Sequence, residues 1–292
     1  MHILVATDGS AESQAAVRFG ATVAQKLAGT LTLLHVMLRS DESGDADTLL
    51  RAAQAEVVKC GMDATTRAEV GDPADTIVGV RRETGADMLV MGTHGRRGLA
   101  RVFLGSVAES VYKRVPFPVA VVYKFDETAK AGPILAPTDF SASATPAVRT
   151  AAHLARKLGL RLVLLHVLAE VLPLKGEEGT EATRQAALAL RRDAEGNLQA
   201  LTKTLGLAQE QVDFLLKTGV DSAEIVHVAG QIRASCIVLG TRGLSGLPRV
   251  LIGSVTDQVL REAPCPVLIV PSKAAPRSGW WREMEEEVGM EK

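Results

Sequence analysis

A chain of 292 residues, 47% of them apolar, is long enough for two ordinary domains and too apolar to stay disordered. Aromatic residues are only 3%, so any core is built from Val, Ile, Leu and Ala, the composition of buried parallel strands covered by helices. A formal net charge of −1 excludes a global field that would draw the chain to nucleic acid or to an acidic membrane.

The opening residues, MHILVAT, read as a strand and not as a charged and then apolar leader. Residues 11–28 have helical apolar spacing, and LTLLHVM (31–37) is a second strand. Residues 47–60 read as a helix and TTRAEV (65–70) as a third strand. GDPADTI then opens a helix, with Asp72 as N-cap and Pro73 at its first position. DMLVMG (87–92) is a fourth strand, GSVAESVYKRV (105–115) a helix and PVAVVY (118–123) a last strand. After a linker, KFDETAKAG (124–132), the same order runs again and ends in CPVLIV (265–270). Alternating strands and helices with apolar strands predict an α/β fold with a doubly wound parallel sheet in each half.

The final stretch, SKAAPRSGWWREMEEEVGMEK, lies outside this order and holds both tryptophans. Trp280, Trp281, Met284 and Val288 either mark one face of a short docking helix or belong to a loosely ordered tail. Cys60, Cys236 and Cys265 are odd in number and lack C-x-x-C spacing, which fits a reducing compartment and small buried side chains better than a metal or redox site. No apolar run approaches the roughly 18 residues of a membrane span. A cytoplasmic protein without a membrane or nucleic-acid partner is expected.

The two halves are copies. Ile3 to Met37 aligns without a gap on Ile134 to Leu168, and about half of the positions are identical. A repeat unit of well over a hundred residues is a domain, not a solenoid turn. Further on, GTHGRRGLARVFLGS (92–106) has its echo in GTRGLSGLPRVLIGS (240–254). The offset has grown from 131 to 148, so the second copy carries 17 extra residues, placed near EVLPLKGEEGTEATRQ (170–185).

Each of these glycine-rich stretches follows a buried strand and ends at a helix start. Ser106 with Glu109, and Ser254 with Asp257, have the spacing of capping boxes. That puts Gly105 and Gly253 just before helix N-termini, where free N–H groups and the helix dipole favour an anion. The glycines either admit a phosphate to those amides or only turn the chain. The first strand of each copy ends at Asp8 or Asp139, on the carboxyl edge where open α/β sheets bind ligands. If strands one and four are neighbours, Asp8 faces Gly92 and Gly95, and Asp139 faces Gly240 and Gly243. The alternative for each aspartate is a helix N-cap. His35 and His166 end the second strands and are read as packed, hydrogen-bonded residues.

These residues resemble the universal stress protein family in its tandem two-domain form. The resemblance covers 1–124 and 131–272, with 273–292 as a tail. Its nucleotide-binding members carry G-x-x-G, nine residues, then G-[ST]. Gly92, Gly95 and Gly105-Ser106 match this pattern, as do Gly240, Gly243 and Gly253-Ser254. The resemblance implies strand order 3-2-1-4-5 in each sheet. It also implies that the copies pair within the chain through 119–123 and 267–270. It further implies an ATP pocket, with or without Mg²⁺. There Asp8 and Asp139 line the nucleoside side, and Val36 and Val167 meet adenine through their backbones. The loops, with Ser106, Val107, Ser254 and Val255, hold ribose and phosphates. Arg101 and its counterpart Arg249 are set to pair with phosphates or stand in solvent. Copy one departs with Ala6 and Gly9 where copy two has Pro137 and Phe140. Copy two has TGVDS where copy one has Val70-Gly71-Asp72-Pro73.

An ATP-binding regulatory protein is therefore the first reading, with no catalytic residue assigned and hydrolysis slow at most. No Walker A lysine or water-positioning base is visible. An adenylating enzyme is the second, although TDGSAES only faintly resembles the glycine-rich loop such enzymes use. A dehydrogenase is disfavoured because no G-x-G-x-x-G follows the first strand. A ligand-free scaffold is the third, and association of two chains stays open.

Overall fold

Ile3 and Val5 of the first strand point to one side, Leu4 and Ala6 to the other, and all four are buried. A strand apolar on both faces needs helices on both faces, and the computed structural model supplies them. It describes residues 1–39, 43–93, 105–115, 117–126, 131–169, 181–241 and 253–272. The first half runs β1 (His2–Ala6), α1 (Ala11–Lys26), β2 (Thr30–Met37), α2 (Ser43–Lys59), β3 (Thr65–Val70), α3 (Pro73–Thr84), β4 (Met88–Gly92), α4 (Ser106–Arg114) and β5 (Val119–Val122). The second runs β6 (Ile134–Pro137), α5 (Thr145–Leu158), β7 (Leu162–Leu168), α6 (Glu181–Thr204), β8 (Val212–Thr218), α7 (Asp221–Gln231), β9 (Cys236–Gly240), α8 (Ser254–Glu262) and β10 (Val267–Val270).

The strand order is β3-β2-β1-β4-β5 in the first half and β8-β7-β6-β9-β10 in the second, the same 3-2-1-4-5 arrangement. The last strands of the two copies pair, as the resemblance implies. β5 and β10 pair antiparallel, Ala120 level with Leu268, and join the halves into a single ten-stranded sheet. The reason is chemical. Each of these strands would otherwise leave a row of unpaired N–H and C=O groups at the edge of an apolar strand, VAVV or VLIV. Side chains of α1, α2, α5 and α6 fill the core on one face. Those of α3, α4, α7 and α8 fill the other.

Local chemistry sets the helix starts. Ser10 caps α1 by accepting from Ser13 N at 3.2 Å. Asp72 caps α3 by accepting from Asp75 N at 3.0 Å, with Pro73 next. α1 ends at Lys26, two residues early, where Leu27 N and Ala28 N turn back onto carbonyls of the last turn. α2 begins at Ser43 instead of residue 47. Part of the insertion in copy two is taken up by α6, 24 residues against 17 in α2. The tail, 273–292, lies outside the described residues. Among the described residues no helix is long and apolar enough to cross a membrane.

Candidate functional site

β1 lies between β2 and β4, paired in parallel with both, and Ala6 is level with Leu34 and Met91. The chain leaves β1 toward α1, on one face of the sheet, while β4 continues toward α4 on the other. This is a switch point, and it opens a crevice beyond the carboxyl ends of the two strands. β6, between β7 and β9, repeats it.

Asp8 and Asp139 stand two residues past these strand ends. Neither caps a helix. Asp8 Oδ1 accepts from Ser10 N at 3.1 Å, and Asp139 Oδ1 accepts from Ser141 N at 3.0 Å and from its Oγ at 2.5 Å. The carboxylates brace the turn that leads into the helix. The caps themselves are Ser10 and Ala144. The turn has a left-handed residue in both copies, Gly9 at φ 78° and Phe140 at φ 61°. Phe140 lies over His166, ring centroids 4.5 Å apart. Copy one has no ring there.

Val36 and Val167 are placed by strand geometry. Thr7 N donates to Leu34 O at 2.9 Å, so Leu34 turns its backbone groups toward β1. Alternation along the strand turns those of Val36 the same way, to the side that the chain has left beyond Ala6. Thr138 N to Leu165 O at 2.8 Å sets Val167 likewise. The valine side chains pack on the same apolar face as Val107 and Val255. His35 Nδ1 donates to Thr7 O and His166 Nδ1 to Thr138 O, both at 2.8 Å. Each histidine is a tie between strand ends.

The glycine-rich loops are pinched at their bases. Thr93 N donates to Val122 O at 3.2 Å, and Thr93 O accepts from Gly105 N at 2.6 Å. Thr241 repeats this, with Val270 O at 3.2 Å and Gly253 N at 3.0 Å. Residues 94–104 and 242–252 leave and return at these closures. Gly95, Arg101, Gly243 and Arg249 fall within them, outside the described residues. Thr93 and Thr241 were not singled out from the sequence, although G-T follows the fourth strand in both copies.

The capping boxes are displaced by one residue. Gly105 and Gly253 are the N-caps, and their carbonyls accept from Glu109 N at 2.9 Å and Asp257 N at 3.1 Å. Ser106 and Ser254 are the first helical residues, and the glycine caps before them have no side chain to bond. The amides of Ser106 to Ala108, and of Ser254 to Thr256, therefore have no acceptor within their helices. Gly92 has a packing reason to be glycine. A Cβ there would lie 2.9 Å from Ser13 N and 3.0 Å from the Glu12 carbonyl carbon. Gly240 closes β9 in the same place, and its carbonyl accepts from Thr256 Oγ1 at 3.0 Å. The α7 start differs from α3 as its sequence does, with Val220 at the cap and no side-chain bond. No cluster of three His, Cys, Asp or Glu side chains suited to a metal occurs among the described residues.

A model of the universal stress protein family matches residues 1–123 and again 131–271. The chain belongs to the universal stress protein family. A universal stress protein of Mycolicibacterium smegmatis is 30% identical over 298 residues, which cover 92% of this chain and 96% of that one. A universal stress protein of Archaeoglobus fulgidus shares the fold, with a TM-score of 0.65 at 22% identity over 93% of this chain and 96% of its own. A protein of Pseudomonas aeruginosa described as a putative member of the family does so at TM-score 0.66 and 21% identity, over 99% and 98%. Both domains of this universal stress protein carry the same crevice, and they differ at Gly9 against Phe140.

Proposed function

We propose that this universal stress protein binds ATP in both crevices and acts as a cytoplasmic regulatory protein rather than a fast enzyme. The observation that carries this is the repeated loop closure, Gly105 N to Thr93 O and Gly253 N to Thr241 O. It holds the base of each glycine-rich loop over a helix N-terminus with first-turn amides to offer, a setting that favours phosphate oxygens. Ser106, Val107, Ser254 and Val255 would hold phosphates and ribose, aided by Gly95, Gly243, Arg101 and Arg249. The backbones of Val36 and Val167 would meet the adenine edge, and Asp8 and Asp139 the ribose. Mg²⁺, where it enters, would ride on the phosphates, as the described residues offer it no cluster of their own.

The test is calorimetric titration with ATP, preceded by denaturing the purified protein and identifying any released nucleotide by mass spectrometry. Binding should be lost at one site with Gly95→Val, at the other with Gly243→Val, and at both in the double variant. No heat at millimolar ATP, or equal affinity in wild type and double variant, overturns the assignment. Steady turnover at roughly one per second or faster would make the protein an enzyme instead.

A further inference from the structure

On the face that carries α1 and α5, the two halves leave a hollow between them. It is an open groove over a small cavity of about 40 Å³, with an almost wholly apolar wall. Phe19 and Val23 of α1, Leu154 and Leu158 of α5, and Leu268 of β10 form that wall. Lys26 stands exposed at its rim. Phe125, just past β5, covers one end and meets Phe19 edge-on, centroids 5.5 Å apart.

The repeat says what leaves from the other end. Val122 of β5 corresponds to Val270 of β10, so Phe125 corresponds to Lys273, the first residue of the tail. Because β5 and β10 are antiparallel, the two departures lie at opposite ends of the hollow. Ile269 is level with Val119, and Val119 with Leu89. Val270 thus sits in the row of Met88, itself a wall residue.

The tail that starts there suits the hollow. It holds both tryptophans of the chain, and Trp281, Met284 and Val288 are spaced to share one helical face. Trp280 is seven residues past Lys273, a reach of roughly 23 Å when extended. That is about the width of two helices, at some 10 Å each. The apolar residues are interleaved with Glu283, Glu285, Glu286 and Glu287, opposite in sign to Lys26 and to Lys157 in the last turn of α5.

We propose that the tail of each chain folds back onto its own groove, laying its tryptophans along the apolar wall of α1 and α5 and its glutamates against the basic helix ends. It thereby straps the halves together on the face opposite α4 and α8. The inference does not depend on nucleotide binding.

The chain has no other tryptophan, so fluorescence of the full-length protein reports on the tail alone. Native emission should be blue-shifted from that of the urea-unfolded chain, poorly quenched by acrylamide, and unchanged over a hundredfold dilution. Leu158→Glu sets a carboxylate in the wall and should move emission to the unfolded position with the circular dichroism unchanged. Should that variant fail to fold, Thr22→Glu, at a half-buried wall position on α1, makes the same test. Native emission equal to that of the unfolded chain overturns the proposal. So does a blue shift indifferent to the wall variant, which puts the tail elsewhere. A blue shift lost on dilution makes the occupant the tail of a second copy and overturns folding back in cis.

Discussion

The hydroxyl of Tyr112 on α4 donates to Asp257 Oδ1 on α8 at 3.2 Å, across the join between the two halves. The repeat does not duplicate this bond. The counterpart of Tyr112 is Leu260, and Asp257 with Arg261 corresponds to the ion pair Glu109 with Lys113. The join is therefore near-symmetric in its apolar contacts, and the Tyr112–Asp257 tie lies on one side of the axis without a repeat-related counterpart. Tyr112 is 2% exposed, so its hydroxyl depends on that acceptor.

Tyr112→Phe should lower stability by about 1 kcal/mol, since Asp257 keeps Arg261 as a partner. Urea denaturation at neutral pH measures it. Burial first, and then the charge of Asp257, push the phenol pKa above its ordinary value. The unfolded chain releases this proton near pH ~10 while the folded chain still holds it. Deprotonation therefore favours unfolding, so this part of the stability is whole below about pH 10 and is lost as pH rises beyond. Above that pH the wild type should lose stability faster than Tyr112→Phe. Parallel pH curves would show that the tyrosine is not the group responsible.

Gly92→Ala should destabilise the protein in the absence of any nucleotide. The added methyl meets the α1 backbone, at Ser13 N and the Glu12 carbonyl carbon, and backbone cannot swing aside as a side chain can. A cost of about 1–3 kcal/mol is usual for such overpacking. An unchanged urea midpoint combined with lost ATP binding would make Gly92 a ligand contact instead.

Much of this was legible in the sequence because it is local. Most strands are short apolar runs, the copies read one another out over Ile3–Met37 and Ile134–Leu168, and Asp72-Pro73 marks the start of α3 by itself. The cap of α4 was misplaced by one residue because glycine at an N-cap leaves no side-chain signal, while Ser106 and Glu109 imitate a box. The join of β5 to β10 is a pairing of edges, which periodicity within one strand does not encode. It entered only through the family resemblance, which named the last strands of the two copies as the pair that the structure forms. Tyr112 and Asp257 are 145 residues apart, and the repeat hides their pairing by placing Leu260 opposite Tyr112 in the alignment.

Phe140 invites a comparison in which glycine should outperform alanine. Its φ of 61° is left-handed, as is that of its counterpart Gly9 at 78°. Phe140→Ala loses the ring contact with His166 and keeps the backbone strain, so it should be less stable than wild type. Phe140→Gly loses the same contact and relieves the strain, which costs a residue with a Cβ roughly 1–2 kcal/mol. It should recover about 1 kcal/mol over Phe140→Ala in urea denaturation. The reverse order would mean that the turn relaxes out of the left-handed region once the ring is gone.

The cysteines should divide by reactivity. Cys236 is buried, while Cys60 and Cys265 are both half-buried; the surroundings of Cys265, just before β10, still push its thiol up to about 12, and burial pushes that of Cys236 higher still. The thiolate is the reactive form. Iodoacetamide near pH 8 should therefore modify Cys60 first in the native protein, and Cys236 and Cys265 only with urea present, as read by mass spectrometry of the peptides. The same shifts carry a sign for stability. An unfolded thiol ionises near pH ~8.5, while these two stay protonated in the folded chain. Their contribution is whole below about pH 8.5 and is lost as pH rises toward the folded values. Cys265→Ser, which cannot ionise there, should flatten the fall in stability between about pH 8.5 and 9.5, a range in which Tyr112 of the unfolded chain is still mostly protonated.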